Sequence, residues 1–286
     1  MRIQIKDDFD LGKIADSGQC FRFNKCYDGY SVVAGDKFVF IKQLNDEPGE
    51  TSDNGQWYEL SCSEKEYEEF WKEYFDLNTD YRNIRGLIDK QEDEYLYNAS
   101  EYGKGIRILQ QDPWEMLISF IISQRKNIPA IKASIEKICT LSGNKIATDP
   151  EGNAIYSFPG PDKLAQVSMD ELSACSLGYR DKYVHRAALD VASGVCDLES
   201  FKKLADPELM DKLLELYGVG VKVANCEILF GYHRLNAFPK DVWINRVLEQ
   251  RYPKGFLFEK YAPYNGVMQQ YLFFYSRSEG ITAKEN

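Results

Sequence analysis

The chain has 286 residues, 44% hydrophobic and 14% aromatic, enough for one large domain or two modest ones around a substantial core. No apolar run approaches a membrane span, and Met1-Arg-Ile-Gln-Ile-Lys-Asp-Asp lacks a signal peptide's apolar segment, so a bacterial-type cytosolic location is expected. The net charge of −10 excludes a uniformly basic nucleic-acid binder, but its distribution is uneven. Residues 1–105 hold 13 Lys/Arg against 23 Asp/Glu, whereas residues 106–286 hold 22 of each, which leaves room for a locally basic groove in the second part.

The first 60 residues alternate in the manner of strands. Phe21-Arg-Phe, Tyr30–Ala34 and Lys37–Lys42 read as short antiparallel strands, with turns at Asp28-Gly29 and Gly35-Asp36. Asn45 to Gly55 reads as a polar loop, and Trp57–Leu60 as one more strand. After Ser63 the period becomes helical. Ser63-Glu-Lys-Glu has the form of a capping box, followed by apolar Tyr67, Phe70, Trp71 and Phe75. Asp112-Pro113 supplies the next helix with a cap and a proline at its first position. Further helices are predicted over roughly 112–123, 128–141, 180–193, 206–216, 220–231, 242–250 and 264–277, with a long polar loop from Gly143 to Pro161. The expected fold is therefore α+β: an N-terminal antiparallel β-sheet domain (1–105), then a mostly α-helical body (106–286).

The seven cysteines are scattered and include no C-x-x-C pair, which fits reduced thiols rather than a disulfide framework. No carboxylate or histidine cluster suggests a metal-dependent nuclease. The only histidines are His185 and His233, and His185 sits in a predicted helix beside Arg186.

The most informative stretch is Leu213-Leu-Glu-Leu-Tyr-Gly-Val-Gly-Val-Lys222, followed by Phe238-Pro-Lys-Asp241-Val-Trp. Gly218 and Gly220 offer backbone angles closed to other residues, so the chain can approach a ligand closely. The turn opens onto a helix N-terminus, whose free amides suit a phosphate. The positive end of that helix and burial both favour the neutral amine of Lys222, a nucleophile able to form a Schiff base. Asp241 precedes another predicted helix, whose dipole is expected to keep it ionised, so that it can stabilise developing positive charge. Each part has a plainer use: Asp241 as an ordinary N-cap, Lys222 as a solvated lysine, the glycines as a common helix-pair turn. The combination carries the argument.

This hairpin, lysine and downstream aspartate resemble the helix-hairpin-helix DNA glycosylases, and within them the 8-oxoguanine DNA glycosylase/AP lyase branch. Asp16-Ser-Gly-Gln-Cys-Phe-Arg22 resembles that branch's S-G-Q-x-F-R element, Gly105–Ser123 its first long core helix, and Leu177-Gly-Tyr-Arg-Asp-Lys-Tyr-Val184 its L-G-Y-R-x-x-Y-V element. The resemblance covers most of the chain in the family's order. It implies a TATA-box-binding-like N-terminal domain and two helical subdomains flanking a cleft. The implied partner is duplex DNA containing 8-oxoguanine, bound by a monomer at the nucleoid. The implied activity is that of a bifunctional N-glycosylase and DNA lyase.

The resemblance also assigns roles. Lys222 attacks C1′ of a flipped nucleotide, and the Schiff base permits strand nicking by β-elimination; Asp241 stabilises charge on the sugar and positions Lys222. The Gly18 carbonyl separates 8-oxoguanine from guanine, because only the oxidised base carries a hydrogen at N7. Phe273 and Cys226 flank the flipped base, while Gln269 and the Pro239 carbonyl bond its pairing edge. Tyr179 wedges beside the lesion, and Arg180 faces the orphaned base. Gly218, Val219 and Gly220 meet a phosphate, and the carbonyls of Leu214, Leu216 and Val219 hold a non-catalytic cation; no cofactor is required. Read without the resemblance, Gly18 is a plain turn glycine, Phe273 is core and Arg180 is a surface ion pair.

The chain departs from the family after the first core helix. The family's N-N-N-I-x-R is here Arg125-Lys126-Asn127-Ile-Pro-Ala130. Arg125 replaces the asparagine that fills the gap left by the base, and Ala130 replaces the arginine that reads the opposite cytosine. A bidentate arginine contact contributes ~1–3 kcal/mol of discrimination, so a relaxed opposite-base preference is expected. Two other readings stay open at this point. A monofunctional alkyl-base glycosylase would not need Lys222. A non-catalytic helix-hairpin-helix DNA-binding protein would need neither Lys222, Asp241 nor the Gly18 element.

Overall fold

A computed structural model describes residues 1–45 and 55–280. Five antiparallel strands form the N-terminal sheet: β1 (Arg2–Ile5), β2 (Phe23–Cys26), β3 (Gly29–Ala34), β4 (Lys37–Gln43) and β5 (Gln56–Leu60), in the order β1-β5-β4-β3-β2. Their alternation buries Ile3, Ile5, Phe23, Val32, Val39, Ile41, Tyr58 and Leu60 together. The helical face of Tyr67, Trp71, Tyr74 and Phe75 shares this core. β1 and the short helix α1 (Leu11–Asp16) escape the sequence reading, since four and six residues carry too little period. The first hairpin loop is Tyr27-Asp28, one residue earlier than expected, with Tyr27 at φ 51 and Gly29 already paired to Cys26. Most of the expected Asn45–Gly55 loop lies outside the described residues.

Ser63 caps its helix through Glu66 N, but the Glu66 carboxylate accepts from Trp71 Nε1 rather than closing the box. The longer helix α2 (Glu94–Tyr102) is capped by Asp93 and packs against the C-terminal helix, so residues before 105 join the core of the body. Between the two cores runs the segment of Arg107, Ile108 and Leu109. Arg107 is fully buried; it donates to Asp7 Oδ2 and to the carbonyls of Phe75, Asp8, Asp76 and Thr79.

The body is built around α3 (Pro113–Ser123), which is predominantly apolar and buried along nearly its whole length. Asp112 caps it as expected. Around it lie α4 (Ile128–Ser142), α5 (Asp181–Ala192), α6 (Asp206–Leu214), α7 (Val221–Cys226), α8 (Val242–Arg251) and α9 (Asn265–Glu279). These agree with the predicted helices to within a few residues, apart from two differences. The long polar loop contains a hairpin, β6 (Lys145–Thr148) and β7 (Ala154–Tyr156), whose turn is set by Asp149 accepting from the amides of Glu151 and Asn153. The helix expected over 220–231 changes to a π-turn at Glu227–Gly231. Inside that turn the Glu227 carboxylate lies where a side chain on Gly231 would begin, 2.4 Å from the position of a Cβ.

Candidate active site

The S-G-Q-x-F-R element works as a set of anchors. Gln19 is fully buried, donating from Nε2 to the Arg107 carbonyl and accepting at Oε1 from Leu109 N. Phe21 meets Phe120 of α3 edge-on at 5.6 Å, and Arg22 pairs with Glu136 of α4 at 2.8 Å. Thus pinned on both sides, Gly18 adopts φ +78 and faces α9: a Cβ there would lie 3.2 Å from Phe273 Cε1. The angle favours glycine, and the space beside Phe273 is tight for a side chain. Two residues far apart in sequence are thereby held in contact.

The hairpin carries the candidate nucleophile. Gly218, at φ +85, packs so closely on the Tyr183 ring that a Cβ would sit 2.4 Å from it. Gly220 differs from the sequence expectation: its φ of −103 is ordinary, and its glycine character instead leaves open space above the backbone at the start of α7. The Leu216 carbonyl accepts from Val219 N, closing the turn. Lys222 follows on α7, with Nζ 3.3 Å from Ser123 Oγ and 5.1 Å from the centre of the Phe120 ring. Cys226, one turn on, is buried on the same face; burial pushes its thiol up, against the pull of the neighbouring Lys222 ammonium. Ser123 was not singled out from the sequence, because its role depends on where α3 ends relative to α7.

Asp241 caps α8, accepting from Ile244 N at 2.9 Å. Its carboxyl is pulled in two directions. Burial pushes the carboxyl above its ordinary value and outweighs the Ile244 amide bond, the Lys222 charge and the Arg277 charge that favour the anion. The plain and functional readings of Asp241 both hold geometrically, since the capping carboxylate is also within electrostatic range of Lys222. Arg277 adds a cation to the same neighbourhood, 5.4 Å over the Phe273 ring and bonded to the Asp16 carbonyl.

Gln269 and Pro239 meet directly: Gln269 Nε2 donates to the Pro239 carbonyl at 3.1 Å, and its Oε1 accepts from Gln270. The two groups expected to bond a base edge thus satisfy each other in the DNA-free chain. Together with Gly18, Phe273, Cys226 and Lys222, they bring every residue assigned to base binding and catalysis into one region between α3, α7, α8 and α9.

The residues assigned to DNA contact lie on three neighbouring loops. Tyr179 is 48% exposed and stands edge-on to Tyr183, which itself meets Tyr217. Arg125 is exposed at φ 50, just past α3, and Asn127 caps α4 by accepting from Ala130 N. Lys126 is half-buried, bonded to Ser134 Oγ and the Ser176 carbonyl. Arg180 departs from the plain reading as a surface ion pair: it is 6% exposed and donates to the carbonyls of Gln124 and Leu177, stacked on Tyr179. His233 lies away from this region, bridging Asp76 and the Ile108 carbonyl.

Residues 2–117 match the family described as "8-oxoguanine DNA glycosylase, N-terminal domain", and residues 118–253 match "HhH-GPD superfamily base excision DNA repair protein". The solved structure of MBOgg1 in complex with a low affinity DNA ligand is 36% identical, with a TM-score of 0.88 over 98% of this chain and 96% of that one. The chain belongs to the 8-oxoguanine DNA glycosylase/lyase family. The Clostridium acetobutylicum 8-oxoguanine glycosylase/lyase, solved with double-stranded DNA carrying cytosine opposite 8-oxoguanine, is 34% identical with a TM-score of 0.84, covering 98% of this chain and 99% of that one. A curated Arabidopsis thaliana N-glycosylase/DNA lyase, OGG1, is 29% identical over 90% of this chain and 74% of its own length. Membership in this glycosylase/lyase family makes the chain a DNA-repair enzyme. Among the described residues no helix is long and apolar enough to cross a membrane.

Proposed function

We propose that this enzyme excises 8-oxoguanine from duplex DNA and nicks the resulting abasic site, with Lys222 as nucleophile. The observation that carries the reading is the placement of Lys222 Nζ between Ser123 and Cys226, within the field of Asp241. Burial raises the basicity of Asp241, so it can take the proton that the ammonium must lose before attack. The amine then bonds C1′ while the N-glycosidic bond breaks and the base leaves with its electron pair. Opening of the sugar ring gives the C1′ Schiff base and returns a proton to O4′. Removal of a C2′ proton expels the 3′ phosphate. The departing base takes the Lys222 proton from Asp241, which leaves the carboxylate ionised to stabilise positive charge at the sugar.

Gln269 and the Pro239 carbonyl would exchange their mutual bond for the base's pairing edge, with Phe273 and Cys226 on its faces. The Gly18 carbonyl would accept from N7–H of the oxidised base and oppose the lone pair of guanine. Tyr179 would enter the duplex beside the lesion, while Gly218, Val219 and Gly220 receive a phosphate. The carbonyls of Leu214, Leu216 and Val219 would suit a structural cation. Arg125, exposed and free of described partners, would fill the gap left by the base, and Ala130 leaves the opposite base without an arginine reader. The same reading puts the work of this enzyme at the nucleoid of a bacterial-type cytosol.

Borohydride trapping on a duplex containing one 8-oxoguanine tests the reading. The expected result is a covalent adduct with the lesion duplex, none with undamaged duplex, and none with Lys222→Gln. Base release without an adduct would instead establish water attack, the mechanism of a monofunctional enzyme.

A further inference from the structure

Three cations converge on the turn that precedes Tyr179, and no carboxylate lies among them. Lys126 Nζ donates to the Ser176 carbonyl at 2.6 Å and to Ser134 Oγ at 2.5 Å. Lys137, exposed on α4, donates to Ser176 Oγ at 2.8 Å. Arg180 lies behind the same turn on the Leu177 carbonyl at 3.0 Å. Ser176 itself is exposed and left-handed at φ 63. None of the three cations has an ion-pair partner among the described residues. Neighbouring acids are bonded elsewhere: Glu171 to the Ser168 cap, Asp181 to Ser173 Oγ and the Lys182 amide, and Glu136 to Arg22.

Bonds to carbonyl and hydroxyl oxygens orient an ammonium without neutralising it. Crowding like charges is therefore unfavourable in the free protein, and the Lys126 ammonium is pulled below its ordinary pKa by burial, then by Arg180 and Lys137. An anion would relieve this. In a chain of net charge −10, cations gathered without acids beside the exposed Tyr179 mark where a polyanion docks.

We propose that Lys126, Lys137 and Ser176 form a binding site for one DNA backbone phosphate, next to Tyr179. The proposal rests on the reading of the chain as a duplex-DNA enzyme. The phosphate accepts from Lys137 Nζ, from Ser176 Oγ and from the remaining proton of Lys126. A backbone contact carries no sequence or lesion information, so the site registers the duplex and leaves damage recognition to the base pocket.

The test compares the salt dependence of Kd for undamaged and 8-oxoguanine duplexes in wild type, Lys137→Gln and Lys65→Gln. Lys65 lies on the acidic N-terminal part, so its loss removes the same formal charge without touching the turn. One lost phosphate contact lowers the slope of log Kd against log salt by about 0.9. That drop is expected for Lys137→Gln alone, with equal loss of affinity for both duplexes. Ser176→Ala is expected to weaken both duplexes equally with the slope retained. A Lys137→Gln slope equal to that of Lys65→Gln overturns the proposal and leaves these lysines as ties between loops. Failure of the functional reading appears separately, as a wild-type chain that binds duplex but does not cleave at 8-oxoguanine. A wild type that does not bind duplex overturns both.

Discussion

The Gln124 side-chain amide donates to the Gly218 carbonyl at 3.0 Å, joining the end of α3 to the hairpin that carries Lys222. The Gln124 carbonyl in turn accepts from Arg180 Nε at 2.7 Å. One residue thus holds the Tyr179 loop and the hairpin in fixed relation. Removing the side chain with Gln124→Ala loses about 1 kcal/mol of hydrogen bonding and frees the hairpin from α3. Single-turnover excision is expected to slow about fivefold to tenfold, because a nucleophile displaced by a fraction of an ångström loses much of its advantage. An unchanged rate would show that the hairpin is positioned by Tyr183 packing alone.

Asp241 gives the reaction a defined acid limb. Burial raises its folded-state value above the ordinary 3.8, so the carboxylate needed for the reaction is lost as pH falls through that raised value. The excision rate should therefore fall at a higher pH than an exposed aspartate would give. Asp241→Asn should remove this limb and slow excision by a factor of about 10² to 10⁴, the usual range for a positioned acid or base. Asparagine caps a helix as well as aspartate does, so the variant should fold normally. A single-turnover pH profile that is the same in shape for both proteins would exclude Asp241 as the titrating group.

Much of this site is legible in the sequence because its parts are local. A hairpin glycine, a lysine in the first turn of a helix and a capping aspartate all sit within short motifs, and the fold puts them on those local elements. The strands β3, β4 and β5 and the long helices are likewise carried by period and caps. What the sequence conceals depends on relations between distant elements. Arg180 reads as a surface cation, yet the end of α3 offers it the Gln124 carbonyl and buries it. Ser123 and Gln124 have no motif of their own. The dipole argument for Asp241 omits burial, which only the packing of α8 reveals. The hairpin β6–β7 has strands of four and three residues, too short for alternation to show.

Glu115 ties stability to pH at the joint between sheet and body. It is buried on α3, accepts from Gly35 N at 2.9 Å, and burial pushes its carboxyl up to about 7, against the pull of Arg22 and the Gly35 amide. The folded state therefore holds the proton more tightly than the unfolded chain, whose ordinary value is 4.5. The stability due to this group is fully present below 4.5 and is lost as pH rises through about 7. The loss amounts to about 3 kcal/mol at most. Glu115→Gln keeps an acceptor for Gly35 and removes the titration, so Tm should fall less between pH 5 and pH 8 (roughly the window this linkage spans) than in the wild type. Parallel Tm curves across that range would exclude Glu115 as the source.

The opposite strand is where this enzyme departs from its family's motif. Ala130 lies in the first turn of α4, its amide held by the Asn127 cap, and offers no group to a facing cytosine. Arg125 is exposed at φ 50 with no described partner, free to occupy the gap left by the flipped base but not built as a rigid reader. Cleavage of 8-oxoguanine opposite C, A, G and T is therefore expected to differ by less than about a hundredfold, roughly 2.7 kcal/mol. Ala130→Arg should restore a bidentate contact and raise the preference for cytosine by ~1–3 kcal/mol. A wild type that already prefers cytosine by more than a hundredfold would show that Arg125 reads the base itself, and Arg125→Ala would then abolish the preference.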